Sequence, residues 1–321
     1  MTFHINSIHQ LTIPTPFSVG DTHVYLLKGD TLTLIDAGIK TVEAKKAMTE
    51  QLHALGYGLE DIEQIILTHH HPDHIGLIEA FPRLQHLVAD QKVDAWLTRD
   101  EAFLQSYEQF FRELFISSGV PAHFYPYLDQ LRKPLSYAGK GKLTKTLGEG
   151  DLLPGHEDWV TVNTAGHAQS HLSFYREKDG TFIGGDHLLY HISSNPLLEP
   201  PINQKERPKP LLQYRQNLEK CLRMDINQVL PGHGKIFTEP APIIKDRLKK
   251  QEERALKVLS MVRSHPSSAF QLCQQLFPHQ YERQLDLTMS ETIGQLDYLE
   301  EKKLIKKRMK DGVFIYYEQT N

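Results

Sequence analysis

Sulfur is scarce in this chain: it has two cysteines in 321 residues, Cys221 and Cys273, and no CxxC pair. Both fall in apolar patterns of helical spacing, which argues against thiolate metal sites and a disulfide framework. Charge of one sign is also lacking. Thirty-six Lys and Arg against 40 Asp and Glu leave a net charge of -4, so no global field draws the chain to nucleic acid or a membrane surface. No run approaches the ~18 to 20 consecutive apolar residues of a membrane span. Thr2 to Asn6 follow Met1 without a basic start or a leading apolar stretch, so no secretory signal is expected and the cytosol is the expected compartment. With 40% hydrophobic and 24% charged residues, the chain can build a substantial core, as one large domain plus a small one or as two of medium size.

What is abundant is histidine, with 18 residues unevenly spread. Thr68-His69-His70-His71-Pro72-Asp73-His74 follows the apolar run Ile65-Ile66-Leu67. A histidine-rich loop can be adventitious, and some members of so generous a complement serve the surface. Against that, His-x-His-x-Asp-His packs imidazoles and a carboxylate into one short loop, the donors that zinc and similar metals take at about 2 Å. His69 and His71 on one side, with Asp73 and His74 on the other, could serve two ions.

Around this loop the N-terminal part alternates short β-rich runs with turns. Strands are expected over 8–13, 24–28 and 32–35, then the turn Asp36-Ala37-Gly38, a helix over 41–55 and the strand 64–67 that delivers the histidines. Residues 96–137 carry Trp96, Phe103, Tyr107, Phe110, Phe111, Phe115, Phe124, Tyr125, Tyr127 and Tyr137 among helix-compatible polar residues. They read as an aromatic helical insertion, either a locally packed helical pair or a cap over a pocket. β-rich runs resume over 159–163, 172–175 and 181–184. Glu239-Pro240-Ala241-Pro242 punctuates the chain before a long helical pattern, so domains are expected over 1–238 and 239–321. Beyond the long helix, 267–277 and 288–303 read as helices and 304–309 with 313–317 as a hairpin around Asp311-Gly312.

One loop cannot complete two metal sites, and further donors occur where other strands end. Gly166-His167 follows the strand ending near Val162, Gly184-Gly185-Asp186 follows Thr181-Phe182-Ile183, and Pro231-Gly232-His233-Gly234 follows Gln228-Val229-Leu230. The order and context of Asp36, His69-x-His71-x-Asp73-His74, His167, Asp186 and His233 resemble the motifs of the metallo-β-lactamase superfamily over roughly residues 8–238. That resemblance implies an α/β fold, an αββα sandwich. It also implies that His69, His71 and His167 bind one metal, that Asp73, His74 and His233 bind a second, and that Asp186 bridges them. A bridging aspartate points to the glyoxalase II, lactonase and nuclease branches rather than to the antibiotic-degrading members. The run His167-Ala168-Gln169-Ser170-His171 departs from the threonine, proline and glycine that many relatives show after the ligand, which leaves the local turn open.

Two divalent ions sharing a water would supply hydroxide at neutral pH and polarise the electrophilic oxygen. Zinc suits five histidines and two carboxylates best, with iron or manganese compatible. Asp73 could orient the hydroxide or take its proton, and Asp36 is expected to position ligands by hydrogen bonding. His70, His171 and His187 are expected to support the site without binding metal. Tyr190 and His191 lie in a polar loop just past Asp186, from which they could reach substrate or a developing oxyanion.

The tail, from Thr292 to Ile305 and on through Asp311-Gly312, resembles the small winged-helix domain that some superfamily members carry, including a branch related to a mitochondrial endoribonuclease. Lys306, Lys307, Arg308 and Lys310 make its wing basic, but Glu291, Asp297, Glu300 and Glu301 on the presumed recognition helix would repel phosphates. A module that packs on the catalytic domain or on a neighbouring subunit of a homo-oligomer is therefore favoured over a nucleic-acid reader. Two function classes remain: a hydrolase of small-molecule esters, thioesters or lactones, which is favoured, and a phosphodiesterase or endoribonuclease. A non-catalytic binding module would be expected to have a broken ligand set, and this one is complete.

Overall fold

The computed structural model describes residues 4–5, 8–202 and 206–319. Thr2, Phe3 and Asn6, which carry the expectation of no secretory signal, lie outside them. Among the described residues, no helix is long and apolar enough to cross a membrane. The chain divides into two compact units. The first comprises residues up to Glu101, Arg132–Ser194 and Arg223–Pro240; the second comprises Ala102–Leu131, Asn195–Leu222 and the residues from Ala241 on.

The first unit holds two mixed sheets. One has the order β1 (His4–Ile5), β2 (Ile8–Ile13), β3 (Thr22–Lys28), β4 (Leu32–Ile35), β5 (Gln64–Ile66), β6 (His86–Ala89) and β7 (Lys145–Thr146). Its strands are antiparallel as far as β4 and parallel from β4 to β7. The other contains β8 (Leu152–Leu153), β9 (His156–Asn163), β10 (Leu172–Arg176), β11 (Thr181–Gly185), β12 (Gln228–Pro231) and β13 (Phe237–Thr238) in the order β13-β12-β11-β10-β9-β8. Only its β11–β12 pair is parallel.

Strand periodicity distributes β3 between two cores. Val24 and Leu26 face a cluster with Ala44, Met48 and Leu52 of α1 (Val42–Ala54), while Tyr25 and Leu27 face one with Trp159, Phe174 and Ile183 of the other sheet. Helix α1 starts where expected because the Thr41 hydroxyl accepts from Ala44 N–H at 3.1 Å. Two short helices complete the elements needed here, α2 (Pro72–Ile75) within the histidine loop and α3 (Asp94–Thr98).

The second unit is built from α4 (Glu101–Ser117), α5 (Pro210–Cys221), α6 (Pro240–Ser264), α7 (Ala269–Leu276), α8 (Leu285–Glu301) and a three-stranded sheet. The sheet pairs β14 (Ser267–Ser268) with β16 (Val313–Glu318) and β16 with β15 (Ile305–Lys310). The expected turn is present: Asp311 and Gly312 both have positive φ, 52° and 81°, as a two-residue hairpin loop demands.

One expectation changes here. The single cut at 238/239 falls near only the last of five crossings between the units, since 102–131 and 195–222 go with the C-terminal segment. Most of the aromatic insertion accordingly joins a core of the second unit, in line with the packed-helix reading. Phe111, Phe115 and Leu128 are buried in one cluster with Phe270, Leu285, Met289 and Ile293. Phe115→Ala should therefore destabilise the protein by about 3–5 kcal/mol, read from chemical denaturation; a loss below ~1 kcal/mol would place Phe115 outside the core.

Helix α8 is buried along nearly its whole length. The carboxylates expected to repel phosphates are ion-paired: Asp297 with Arg207 at 2.7 and 2.8 Å, and Glu291 with Arg254 at 2.7 Å. A helix so enclosed presents no face to a nucleic-acid groove. The basic residues of β15 are exposed, as charged side chains on an edge strand usually are.

Candidate metal centre

Strand direction brings the candidate residues to one end of the first unit. Parallel β4 and β5 end in Asp36 and in the histidine loop. In the other sheet β9, β11 and β12 share one direction, and they run out into His167, Asp186 and His233. The sheets meet there through an antiparallel bridge between Thr22 and His233.

His69 Nε2 and His167 Nε2 lie 2.9 and 3.0 Å from His71 Nδ1. Donors held tetrahedrally at ~2 Å from one ion are about 3.3 Å apart, so these three stand just inside the spacing an ion imposes. His74 Nε2 is 3.5 Å from Asp186 Oδ1, and Asp186 Oδ2 is 3.5 Å from both His167 Nε2 and His233 Nε2. Asp73 Oδ2 is 3.2 Å from His233 Nε2 and 4.0 Å from His74 Nε2. Three overlapping groups could each hold an ion: His69, His71 and His167; His69, His74 and Asp186; Asp73, His74 and His233.

The donor set fits a cation on a second count. His74 Nε2, Asp186 Oδ1 and His233 Nε2 are buried without a hydrogen-bond partner among the described residues. An orphaned buried polar atom costs ~1–3 kcal/mol, and a cation among these three would satisfy them together.

Outer hydrogen bonds set the imidazole tautomers. The single Thr68 hydroxyl proton goes to Asp36 Oδ2 at 2.8 Å, so Thr68 Oγ1 accepts from His69 Nδ1 at 2.9 Å. His74 Nδ1 donates to Asp36 Oδ2 at 2.8 Å, and His233 Nδ1 to the Asp21 carbonyl at 2.8 Å. Each of these three rings then turns Nε2 inward as a lone-pair donor. Asp36 also accepts from Thr68 N–H at 2.7 Å and adopts φ 65°, a left-handed conformation that Asp tolerates better than most residues.

The rings beside the carboxylates favour a second proton, on Nε2, which a bound cation would replace. Burial, reinforced by the surrounding imidazoles, holds His69 and His71 well below the usual histidine range. Burial opposes charge on His74 too, but Asp186, Asp36 and Asp73 outweigh it and raise this ring well above that range. At His233 burial is likewise outweighed, by Asp186 and Asp73, and the pKa is pushed up to about 10. Asp186 is held far below the carboxylate range, since His233 and His74 outweigh its burial.

His70, His171 and His187 fall outside the three groups. His70 stacks on Trp96 with ring centroids 4.4 Å apart, and its Nδ1 lies 2.9 Å from Ser170 Oγ. Burial, with His167 adding to it, lowers His70 to about 3. His171 Nε2 accepts from Asp186 N–H at 3.0 Å while its Nδ1 meets Thr164 Oγ1 at 2.8 Å, so it orients the backbone of Asp186. The His187 ring is buried 6.4 Å from that of His171. Tyr190 and His191 are exposed; Tyr190 packs on Phe237 and under the Lys235 ammonium, 3.8 Å from its ring. Sequence reasoning missed Asp21, Thr22 and Thr68. Only Thr68, a polar residue at a strand end beside the histidines, carried any local signal.

Gly232 is needed for close approach. A Cβ there would stand 2.2 Å from Asp186 Oδ1 and 3.0 Å from His74 Cε1. Gly232→Ala should displace Asp186 and cost about 1–3 kcal/mol of stability. Metal content after dialysis should fall with it, and an unchanged content would refute the crowding.

The metallo-beta-lactamase superfamily model matches residues 18–233. The chain is 41% identical over 308 residues to "Probable metallo-hydrolase YqjP" of Bacillus subtilis, covering 96% of each. A metallo-beta-lactamase family protein from Thermus thermophilus matches with a TM-score of 0.81 at 24% identity, over 98% of this chain and 99% of that one. A beta-lactamase domain protein from Burkholderia ambifaria matches with a TM-score of 0.79 at 22% identity, over 99% and 93%. At those identities the two structures speak for the fold alone.

Proposed function

The chain belongs to the metallo-beta-lactamase superfamily, and from that footing we propose that it is a dinuclear metal-dependent hydrolase of a small-molecule ester, thioester or lactone. The observation that carries the reading is the Asp186 carboxylate. Its two oxygens lie 3.5 Å from His74, His167 and His233, between the two sets of nitrogen donors. His69, His71 and His167 would hold one ion, Asp73, His74 and His233 the other, and Asp186 both. Zinc suits this nitrogen-rich set best, with iron or manganese compatible.

Divalent ions held by these residues would supply Lewis-acid chemistry, lowering the pKa of a bound water from about 15.7 towards ~7 and polarising the electrophilic oxygen. The chain's own residues supply the rest. Asp73 directs Oδ2 at His233 and Thr22, and its Oδ1 orients the attacking water and takes up its proton. Asp36 and Thr68 keep His74 and His69 in the tautomers that turn Nε2 inward. Tyr190 and His191, in the exposed loop just past Asp186, would meet substrate.

A glyoxalase II-like or lactonase-like site is the branch favoured by an aspartate at the bridging position. Winged-helix character for the C-terminal segment accords with three helices and a hairpin, used for packing. Enclosure of α8 weighs against phosphodiester cleavage of RNA, the second reading, whose support is the exposed basic face of β15.

Metal analysis of the purified protein, followed by a panel of thioester, lactone and phosphodiester substrates, tests this. Two equivalents of metal and turnover confined to the carboxylic substrates are expected. Metal-free protein with full activity would refute the dinuclear reading. RNA cleavage falling steeply with salt would reverse the ranking of substrates.

A further inference from the structure

A segment outside every metal-binding motif, Asp21-Thr22-His23 at the start of β3, contacts one candidate ligand from each sheet, Asp73 and His233. The contacts run in register along the loop that carries His233. Tyr25 Oη donates to the Pro231 carbonyl at 2.8 Å, and His23 N–H donates to the Gly232 carbonyl at 2.7 Å. The Asp21 carbonyl accepts from His233 Nδ1 at 2.8 Å, and His23 Nε2 reaches the Gly234 carbonyl at 2.5 Å. A proton on His23 Nε2 leaves Nδ1 as an acceptor, and the Gln10 amide lies 3.1 Å from it. Between these contacts Thr22, fully buried, donates its hydroxyl to Asp73 Oδ2 at 3.2 Å. That same oxygen is 3.2 Å from His233 Nε2.

We infer that Asp21, Thr22 and His23 form a positioning strap specific to one half of the centre, fixing the spacing between Asp73 and His233. The inference rests on the dinuclear reading above. Asp73 sits in the histidine loop of the first sheet and His233 in a loop of the second, so no single element holds them together. Glycine flanks His233 on both sides and Gly234 has φ 78°, so hydrogen bonds from outside the loop fix it: those of the strap, and Gly232 N–H on the Gly185 carbonyl at 2.8 Å. Thr22 touches one ligand through its hydroxyl and is bridged to the other through its backbone, and thereby ties the two sheets at the ligands themselves. The first ion's donors have other supports: Thr68 on His69, and the mutual packing of His69, His71 and His167. Loss of the strap therefore weakens one site and spares the other. Outer partners of metal ligands typically contribute 10–100-fold in affinity.

The test is zinc binding to the full chain, by competition with chelators that resolve two sites, with circular dichroism as the check on folding. The parent should bind two ions. Thr22→Val should keep the tighter ion at parental affinity and bind the second ~10–100-fold more weakly. Thr22→Ser, which retains the hydroxyl, should restore the second ion. Thr22→Ala removes the hydroxyl without inserting a methyl and gives the same reading should the valine variant not fold. Thr33→Val is the control: this threonine is equally buried, but its hydroxyl meets Gln64 at 2.9 Å and His156 at 2.8 Å. Parental affinity for both ions in Thr22→Val and Thr22→Ala would overturn the strap while leaving the dinuclear reading standing. Equal weakening of both ions, matched by Thr33→Val, would overturn it as a mere packing effect. A parent that binds fewer than two ions would defeat the dinuclear reading and this inference with it.

Discussion

Asp186→Ala is expected to reduce turnover of the best substrate by about 10³-fold or more, because Lewis-acid stabilisation is worth several kcal/mol and each 1.4 kcal/mol is a factor of ten. Asp186 lies 3.5 Å from nitrogens of both donor sets, and it is itself buried. Without it, two ions would face each other with no carboxylate between them to offset their charge. One ion should then be lost or bound weakly. The measurements are kcat on the best substrate and metal stoichiometry after dialysis. Full activity with two ions retained would remove Asp186 from the centre.

Asp36→Asn should weaken metal binding by about 10–100-fold, the usual effect of altering an outer partner of a ligand. Asparagine keeps the shape and tolerates the φ of 65°, so the effect comes from the exchange of one oxygen for an NH2 group. With Oδ1 still accepting from Thr68 N–H, the amide nitrogen faces Thr68 Oγ1 and His74 Nδ1, which now both donate to Asp36 Oδ2 at 2.8 Å. To avoid two facing donors, His74 must shift its proton to Nε2, the nitrogen that would hold metal. Nitrogen chemical shifts of the His74 ring in the zinc-loaded protein report that tautomer directly, and chelator competition reports the affinity. An unshifted ring with parental affinity would show that Asp36 does not set the tautomer.

Much of the candidate centre was legible because its donors sit at strand ends beside glycine, where short-range patterns carry information. The run 64–67 reads as a strand from its apolar residues, and the polar, proline-containing segment after it must be a loop, so His69 to His74 could be placed at a strand end without knowing the fold. His167, Asp186 and His233 are readable one by one for the same reason. The strap was not legible. Thr22 lies 51 residues from Asp73 in the sequence, and nothing local distinguishes it from any other strand threonine.

The aromatic segment was legible only as two alternatives. Phe111 and Phe115, four apart on α4, have the spacing of a buried helical face, but what buries them comes from Phe270, Leu285, Met289 and Ile293, far along the chain. A pattern can announce that a face is apolar; it does not say whether a protein core or a ligand covers it. The acidic residues of α8 misled in a related way. Glu291 and Asp297 read as exposed repulsive charges, whereas Arg254 and Arg207 compensate them in a buried helix.

By itself, then, the sequence determined the strands, the loops between them and the types of donor those loops present. These depend on residues within a few positions of one another, through side-chain alternation and turn chemistry. Tertiary structure alone decided which donors share a centre, which nitrogen of each imidazole faces inward and which distant segment fixes Asp73 against His233. Those are distances of 3 to 4 Å between atoms on different sheets, and they are set by how two sheets close over a common core.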